Sequence, residues 1–408
     1  MNDRGDRMDD LPVIIVGSGL SVLGSIRLLA RAHVRTYCFG KPQIEAHSRW
    51  YQPAPGSKAE QSRPEDLANY LASCPLKRAV LIPASDAAVG AIASLPPELR
   101  HRFPSNVLSQ EITDQLCDKA LFAELLKRAG VPGPITRRID RVDDLAALPQ
   151  SEFVGAFLKP ADSARFMARF GVKGVRVNSR GDAIARAQGP LSEDHRLVLQ
   201  EYIPSTRDAS GEGPPGDHVL IDAYVDAHNR IKTMFARRRL RMFPLDFGNS
   251  TYMVSIPLEE VPGPVEAIRK ISAHLGYHGI LSGEFKQDPR DGVYKLLEIN
   301  SRLWWFVEFT GRCGIDMCTM WYRDALNVPF EDVTSYQLGA KFVHAYYDFH
   351  AIRALWHAGK IGLLESASSW FNAQEPYFNW TDPMPALFDL RERLRIRRRL
   401  LKPSLAAK

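Results

Sequence analysis

Two strand-like runs between Gly283 and Arg302 are joined by a Pro-Arg-Asp-Gly turn at 289–292. They read Gly283-Glu284-Phe285-Lys286-x-Asp288 and Leu297-Glu298-Ile299-Asn300-x-Arg302. Successive strand side chains point to opposite faces, so Glu298 and Asn300 share one face and Ile299 points into the opposite core. A hairpin partner brings Glu284 opposite them. Two half-buried carboxylates repel unless a cation or an arginine neutralises them, and Arg302 supplies part of that charge. Two carboxylates and one amide oxygen are hard donors that suit Mg²⁺, which keeps water and substrate phosphates in its remaining positions. A solvated hairpin with scattered charges explains Glu-Ile-Asn alone, but not the paired constellation.

The chain around this motif has 408 residues, enough for two or three domains. Hydrophobic residues at 45% and charged residues at 25% exclude collagen-like and disordered classes. The net charge is +6, and residues 391–408 carry +7 of it, so the basic balance belongs to a tail and says little about the folded body. The five cysteines have no zinc spacing and read as reduced thiols of a cytoplasmic protein. The polar, acidic residues 1–10 are not expected to be a signal peptide.

Pro12–Gly17, the helical run after it and Val34–Gly40 form a β-α-β start, with Ala79–Ile82 as a third strand. Gly17-Ser18-Gly19 with Gly24 falls short of a dinucleotide fingerprint, because Gly40-Lys41 stands where an acidic residue is needed. A glycine turn that lets the helix pack on the sheet explains the same residues. Asp114–Gly130 reads as one amphipathic helix, Phe153–Pro160 and Leu197–Ile203 as strands, and 218–226 with 229–237 as a hairpin.

Lys159 ends its strand before Pro160, where a cation suits a nucleotide phosphate; alone it reads as solvated more often than not. Lys119, after Asp118, carries little information by itself. Gln200-Glu201-Tyr202-Ile203 closes a strand whose backbone can read an adenine edge while Tyr202 and Ile203 cover the ring; a plain edge strand looks the same. Arg237, Arg238, Arg239 and Arg241 crowd one segment, and alternation cannot place all four on one face. Arginine forks there suit a phosphoryl group or a carboxylate. Nucleic-acid binding is not expected, because the body is near neutral and no aromatic-interleaved basic stripe exists.

In this order the segments resemble the ATP-grasp superfamily, in particular its predicted ATP-dependent carboligases, which are similar to D-aspartate ligase and to carbamoyl-phosphate-synthase large-chain domains. The resemblance is carried by residues 118–134, FLKP at 157–160, LQEYIP at 199–204, RRLRMFP with GNST at 238–251, and most specifically residues 276–305. The aromatic segment 342–361 also looks like that branch. It implies an α/β and α+β chain: an N-terminal doubly wound parallel pre-ATP-grasp domain at 1–112, an ATP-grasp domain at 113–330 (lid about 135–204, metal-binding part 205–330), an aromatic helical extension at 331–390 and a basic tail at 391–408.

The resemblance further implies that Lys119 and Lys159 contact ATP phosphates, that Glu201, Tyr202 and Ile203 hold adenine, and that Asp208 takes the ribose. Glu284, Glu298 and Asn300 would hold one or two Mg²⁺, with Mn²⁺ as a substitute. Arg238, Arg241 and Arg302 would neutralise transition-state charge, and the loop 162–174 would close as a flap. The expected activity is ligation of a carboxylate to an amine, or to a thiol, through an acylphosphate, with release of ADP and phosphate. An ATP-grasp small-molecule kinase, a non-catalytic nucleotide-binding module and an NAD-linked protein are the alternatives. Specificity is expected in the N-terminal domain, the 205–216 and 242–256 loops and the aromatic region. Small carboxylates and amines are the expected partners, with a homodimer as an assembly option. The tail reads first as a frayed terminus and second as a loose contact with an anionic membrane surface.

Overall fold

The computed structural model describes residues 11–58, 60, 62–161, 166, 169, 174–204, 217–245 and 248–400. Its strands are β1 (Val13–Val16), β2 (Thr36–Phe39), β3 (Val80–Pro83), β4 (Thr136–Ile139), β5 (Phe157–Pro160), β6 (Val175–Arg176), β7 (Leu197–Gln200), β8 (His218–Val225), β9 (Ile231–Phe243), β10 (Asn249–Ile256), β11 (Gly279–Gln287), β12 (Tyr294–Asn300), β13 (Lys341–Val343) and β14 (Ala373–Gln374). The fold mixes parallel α/β and antiparallel sheets, as the sequence leads one to expect. Compactness groups the chain differently from its linear order. One unit joins the segment ending at Val107 to Arg241–Ser255 and to everything from Arg302 onward; the other comprises Leu108–Leu240 and Ile256–Ser301.

In the first unit β2, β1 and β3 form a parallel sheet in that order. All four residues of β1 are buried, which explains a run of β-branched side chains without alternation. Gly40 follows β2 at a place where a Cβ would stand 2.1 Å from the Gly17 carbonyl oxygen, so close backbone approach requires glycine there. Helix Leu20–Arg31 buries Arg27, whose guanidinium pairs with Glu308 at 2.9 Å and Asp382 at 3.0 Å. This ties the C-terminal segment to the N-terminal helix within one unit. β10 pairs antiparallel with β13, and β13 parallel with β14.

The second unit holds two antiparallel sheets. The smaller has the order β4-β7-β5-β6 and packs Leu158, Leu197 and Leu199 against Ala183 and Ala187 of helix Arg180–Ser192. In the larger, β11 lies between β12 and β8, and β8 pairs with β9. Helix Pro262–Leu275 covers one face of it: a Cβ on Gly283 would stand 2.8 Å from Ile268 Cδ1. Glycine at 283 lets that helix approach, and Glu284, one residue on, points to the other face.

Three sequence expectations change. Asp114–Gly130 is two helices, Gln110–Cys117 and Lys119–Arg128. Extended Asp118 separates them and accepts the Ala120 and Leu121 N–H groups, an N-cap that outweighs helical periodicity. β9 continues to Phe243 rather than ending at Arg237. Much of the expected 242–256 loop is β10. Among the described residues no helix is long and apolar enough to cross a membrane.

Candidate active site

Strand register assembles the acidic constellation. Glu284 stands directly opposite Glu298, and Ser282 opposite Asn300. The register slips after Glu284, so Phe285 meets Leu296. Bulges of this kind re-aim side chains next to functional sites. Like charges directly opposed across a strand pair destabilise each other. Burial alone would raise the Glu284 carboxyl; Arg239, helped by His218 and Arg237, overrides burial and holds it below the usual carboxylate range. The Arg239 Nη2–Glu284 Oε1 distance is 2.9 Å. Glu298 is exposed, and Asn300 Nδ2 lies 3.4 Å from its Oε1.

Two rows away the same face is closed. Asp222 receives Arg237 Nε at 2.8 Å, Arg237 Nη2 at 3.0 Å and Ser282 Oγ at 2.6 Å. Arg237 and Arg239 therefore lie on the face of Glu284. Arg238 points the other way, pairing with Glu260 at 3.1 Å, because β9 alternates. The expectation of Arg238 as a charge-neutralising group beside the carboxylates thus meets a different geometry, in which Arg239 stands there.

Lys159 donates from Nζ to Gln200 Oε1 at 2.7 Å. Burial and the neighbouring Lys119 push its pKa down to about 8, while Glu298 and Glu284 pull the other way. Lys159 is thus within electrostatic reach of Lys119, Glu284 and Glu298. Lys119 opens its helix immediately after the Asp118 cap.

The adenine candidates divide. The Tyr202 ring has Arg176 at 4.5 Å and Lys286 at 5.2 Å from its centroid, with the Phe157 ring at 5.6 Å edge-on. Ile203 is buried. The Glu201 side chain is committed elsewhere: it accepts Ile135 N–H at 2.8 Å, Arg290 Nη2 at 2.9 Å and Lys295 Nζ at 3.1 Å. Burial opposes its ionisation, but these donors outweigh it and lower its pKa. Arg290 and Lys295 also grip buried Asp288, whose carboxyl is held far below its ordinary range, chiefly by Arg290. Asp208 and most of the expected flap, 162–165, 167–168 and 170–173, lie outside the described residues.

Two expected arginines belong to the other unit. Arg241 forks onto buried Asp348, with Nε at 2.9 Å and Nη2 at 2.6 Å, and donates to Ser369 Oγ at 2.7 Å. Asp348 also accepts Thr251 Oγ1 and Trp370 Nε1, each at 2.7 Å. Arg302 pairs with Asp86 at 2.7 Å.

Sequence reasoning gave no role to His218 or Lys286, and named Arg239 only as one of a cluster of four arginines. Lys286 was reachable by counting two from Glu284; His218 stands opposite it on β8, and Arg239 opposite His218 on β9. Among the described residues no three His, Cys, Asp or Glu side chains gather as a metal cluster. The candidate set is two carboxylates and an amide, and it fits a hard cation that brings other oxygen ligands with it.

No family model matches the chain. It is 24% identical over 269 residues to D-aspartate ligase of Enterococcus faecium (strain Aus0004), covering 63% of this chain and 61% of that ligase. The chain thus spans less than two thirds of the relative it matches. N5-carboxyaminoimidazole synthetase of Staphylococcus aureus, solved with ADP, superposes with a TM-score of 0.59 at 12% identity, covering 81% of this chain and 80% of that one. The biotin carboxylase domain of the Hydrogenobacter thermophilus 2-oxoglutarate carboxylase, solved with MgADP, ADP and bicarbonate, gives 0.58 at 14% identity, covering 81% and 73%. With its N-terminal parallel sheet and the paired antiparallel sheets after it, the chain has the ATP-grasp fold.

Proposed function

We propose that this protein is an ATP-dependent carboxylate–amine ligase working through an acylphosphate. The observation that carries the reading is Glu284 facing Glu298, with Asn300 beside them and Lys159 within charge reach of both carboxylates and of Lys119. Opposed carboxylates repel, and a divalent cation between Glu284 and Glu298 would relieve what Arg239 alone does not reach, which supports a metal–phosphate site. Glu284, Glu298 and Asn300 would hold Mg²⁺, one ion or two, with Mn²⁺ able to substitute; the metal would neutralise phosphate oxygens. The ADP and MgADP complexes of the similar structures support the same ligand.

Lys119 and Lys159 hold the phosphates in this reading. The backbone around Ile203, with the Tyr202 ring, receives adenine. Glu201 secures that segment through Ile135, Arg290 and Lys295 rather than touching the base. Arg239 takes the neutralising role expected of Arg238. A substrate carboxylate oxygen attacks the γ-phosphorus and the bond to the ADP oxygen breaks. The amine nitrogen then attacks the acyl carbon, phosphate leaves and the nitrogen loses a proton. Protein groups position and neutralise without bonding covalently. Similarity to D-aspartate ligase supports an amino acid as one substrate. Five cysteines outside any disulfide, together with the ATP requirement of this reading, support a cytoplasmic setting.

The test is a screen of amino acids against small carboxylic acids in pairs, reading ADP and phosphate, with hydroxylamine to trap an acylphosphate. Equal ADP and phosphate release that needs Mg²⁺ and both substrates is expected. A stable phosphorylated product without free phosphate would replace the ligase by a kinase.

A further inference from the structure

Helix Met384–Leu400 turns an unexpected side to its own unit. Its inward positions are mixed in character. Pro385 is buried, the Phe388 ring stacks on His47 with centroids 3.5 Å apart, and Arg393 pairs with Asp389 at 2.5 Å. Arg393 also lies 3.8 Å from the Tyr346 ring centroid. Its outward positions include Met384, Leu387, Leu390 and Leu394, which are 56%, 55%, 56% and 48% exposed. Their spacing of three, three and four residues keeps them on one side of the helix. Arg391 and Arg395, both exposed, lie along one side of this row. The sequence continues with Arg397, Arg398, Arg399 and Lys402, and Trp380, 88% exposed, stands just ahead of the helix. A lone exposed leucine needs no explanation; a periodic apolar row with arginines along its side does.

We infer that this helix lies on an anionic lipid bilayer, with Met384, Leu387, Leu390 and Leu394 in the acyl boundary and the arginines among lipid phosphates. Charge complementarity selects this occupant. An amphipathic helix with a leucine face and an arginine-rich border lies in the plane of such a surface, and Trp prefers the same depth. Each basic side chain near an anionic leaflet adds attraction that salt screens. A second copy would bring two arginine borders together, which opposes pairing. This surface does not depend on the proposed ligase chemistry.

Flotation of the full chain with phosphatidylcholine vesicles, with and without phosphatidylglycerol, tests the inference. Binding to the anionic vesicles alone is expected, weakened about tenfold or more between low and high salt. The triple variant Leu387→Ser, Leu390→Ser, Leu394→Ser is expected to lose binding with its circular dichroism and thermal unfolding unchanged. Arg391→Gln with Arg395→Gln is expected to weaken it. No flotation, or equal flotation of the leucine variant, overturns the inference. So does light scattering that finds a dimer which the leucine variant abolishes, since a second copy then covers the row. Binding to soluble polyglutamate as tight as to vesicles would assign an acidic protein partner instead.

Discussion

Asp222 and Glu284 lie on one face of the same sheet, and each meets an arginine of β9, yet their surroundings differ. Asp222 is fully buried and receives both arms of Arg237 together with the Ser282 hydroxyl. Glu284 receives Arg239 and faces a second carboxylate, Glu298, at the open edge of the sheet. The first arrangement is electrostatically complete and holds strands together. The second sets two carboxylates opposite each other across a strand pair, an arrangement that a divalent cation suits. Asp348, with Arg241, Thr251 and Trp370 on its two oxygens, is complete in the same sense as Asp222. Carboxylate–arginine pairing by itself therefore does not distinguish a ligand site from a structural tie; the second carboxylate directly opposite Glu284 does.

The sharpest break in this contrast comes from Glu298→Ala. It is expected to cut Mg²⁺-dependent ADP release by about a thousandfold or more, with thermal stability of the unliganded protein unchanged or raised, since a repulsion is removed. Retained turnover would put Glu284 and Glu298 in the structural class. Asp222→Ala should do the reverse and destabilise by roughly 3–5 kcal/mol in urea unfolding, because buried Arg237 loses the carboxylate that receives both its arms. Asp348→Ala should behave alike in the other unit through Arg241.

A smaller effect concerns Lys159, whose pKa is down to about 8. Its charged form predominates below that value, so MgATP affinity should weaken as pH rises through about 8. Lys159→Arg should flatten the step, because guanidinium stays charged. Between about 8 and the ordinary lysine value of ~10.4 the unfolded chain binds the extra proton, so this group's contribution to stability rises with pH across that window. The smallest effect belongs to Arg238→Ala, about 1 kcal/mol or less and little change in turnover, as its pair with Glu260 is partly exposed and on the far face. A loss of turnover comparable to that of Glu298→Ala would show that the face assignment misleads.

Alternation makes part of this legible in the letters alone. Glu298, Asn300 and Ile299 divide by face through covalent geometry, and Gly283 before Glu284 is intelligible once a helix packs on the strand. The arginine run at 237–241 gives no such choice. Which of Arg237, Arg238 and Arg239 reaches Glu284 depends on where β9 pairs with β8, a register set by contacts across the sheet. Glu201 illustrates the same limit: its strand end is legible, but that Arg290 and Lys295, 89 and 94 residues away, take its side chain is not. Asp118 was within local reach, since an N-cap is a short-range signal that helical periodicity obscured.

The order of segments, the mixed α/β character and the opposition of Glu284 to Glu298 and Asn300 followed from the sequence by itself, because strand alternation, turn residues and helix stops are local properties of the chain. The choice of Arg239 over Arg238, the closure of Asp222 and Asp348, and the outward leucines of the last helix were decided only by tertiary structure. Each depends on which distant side chain fills a given place, and that is fixed by burial and register rather than by neighbours in sequence.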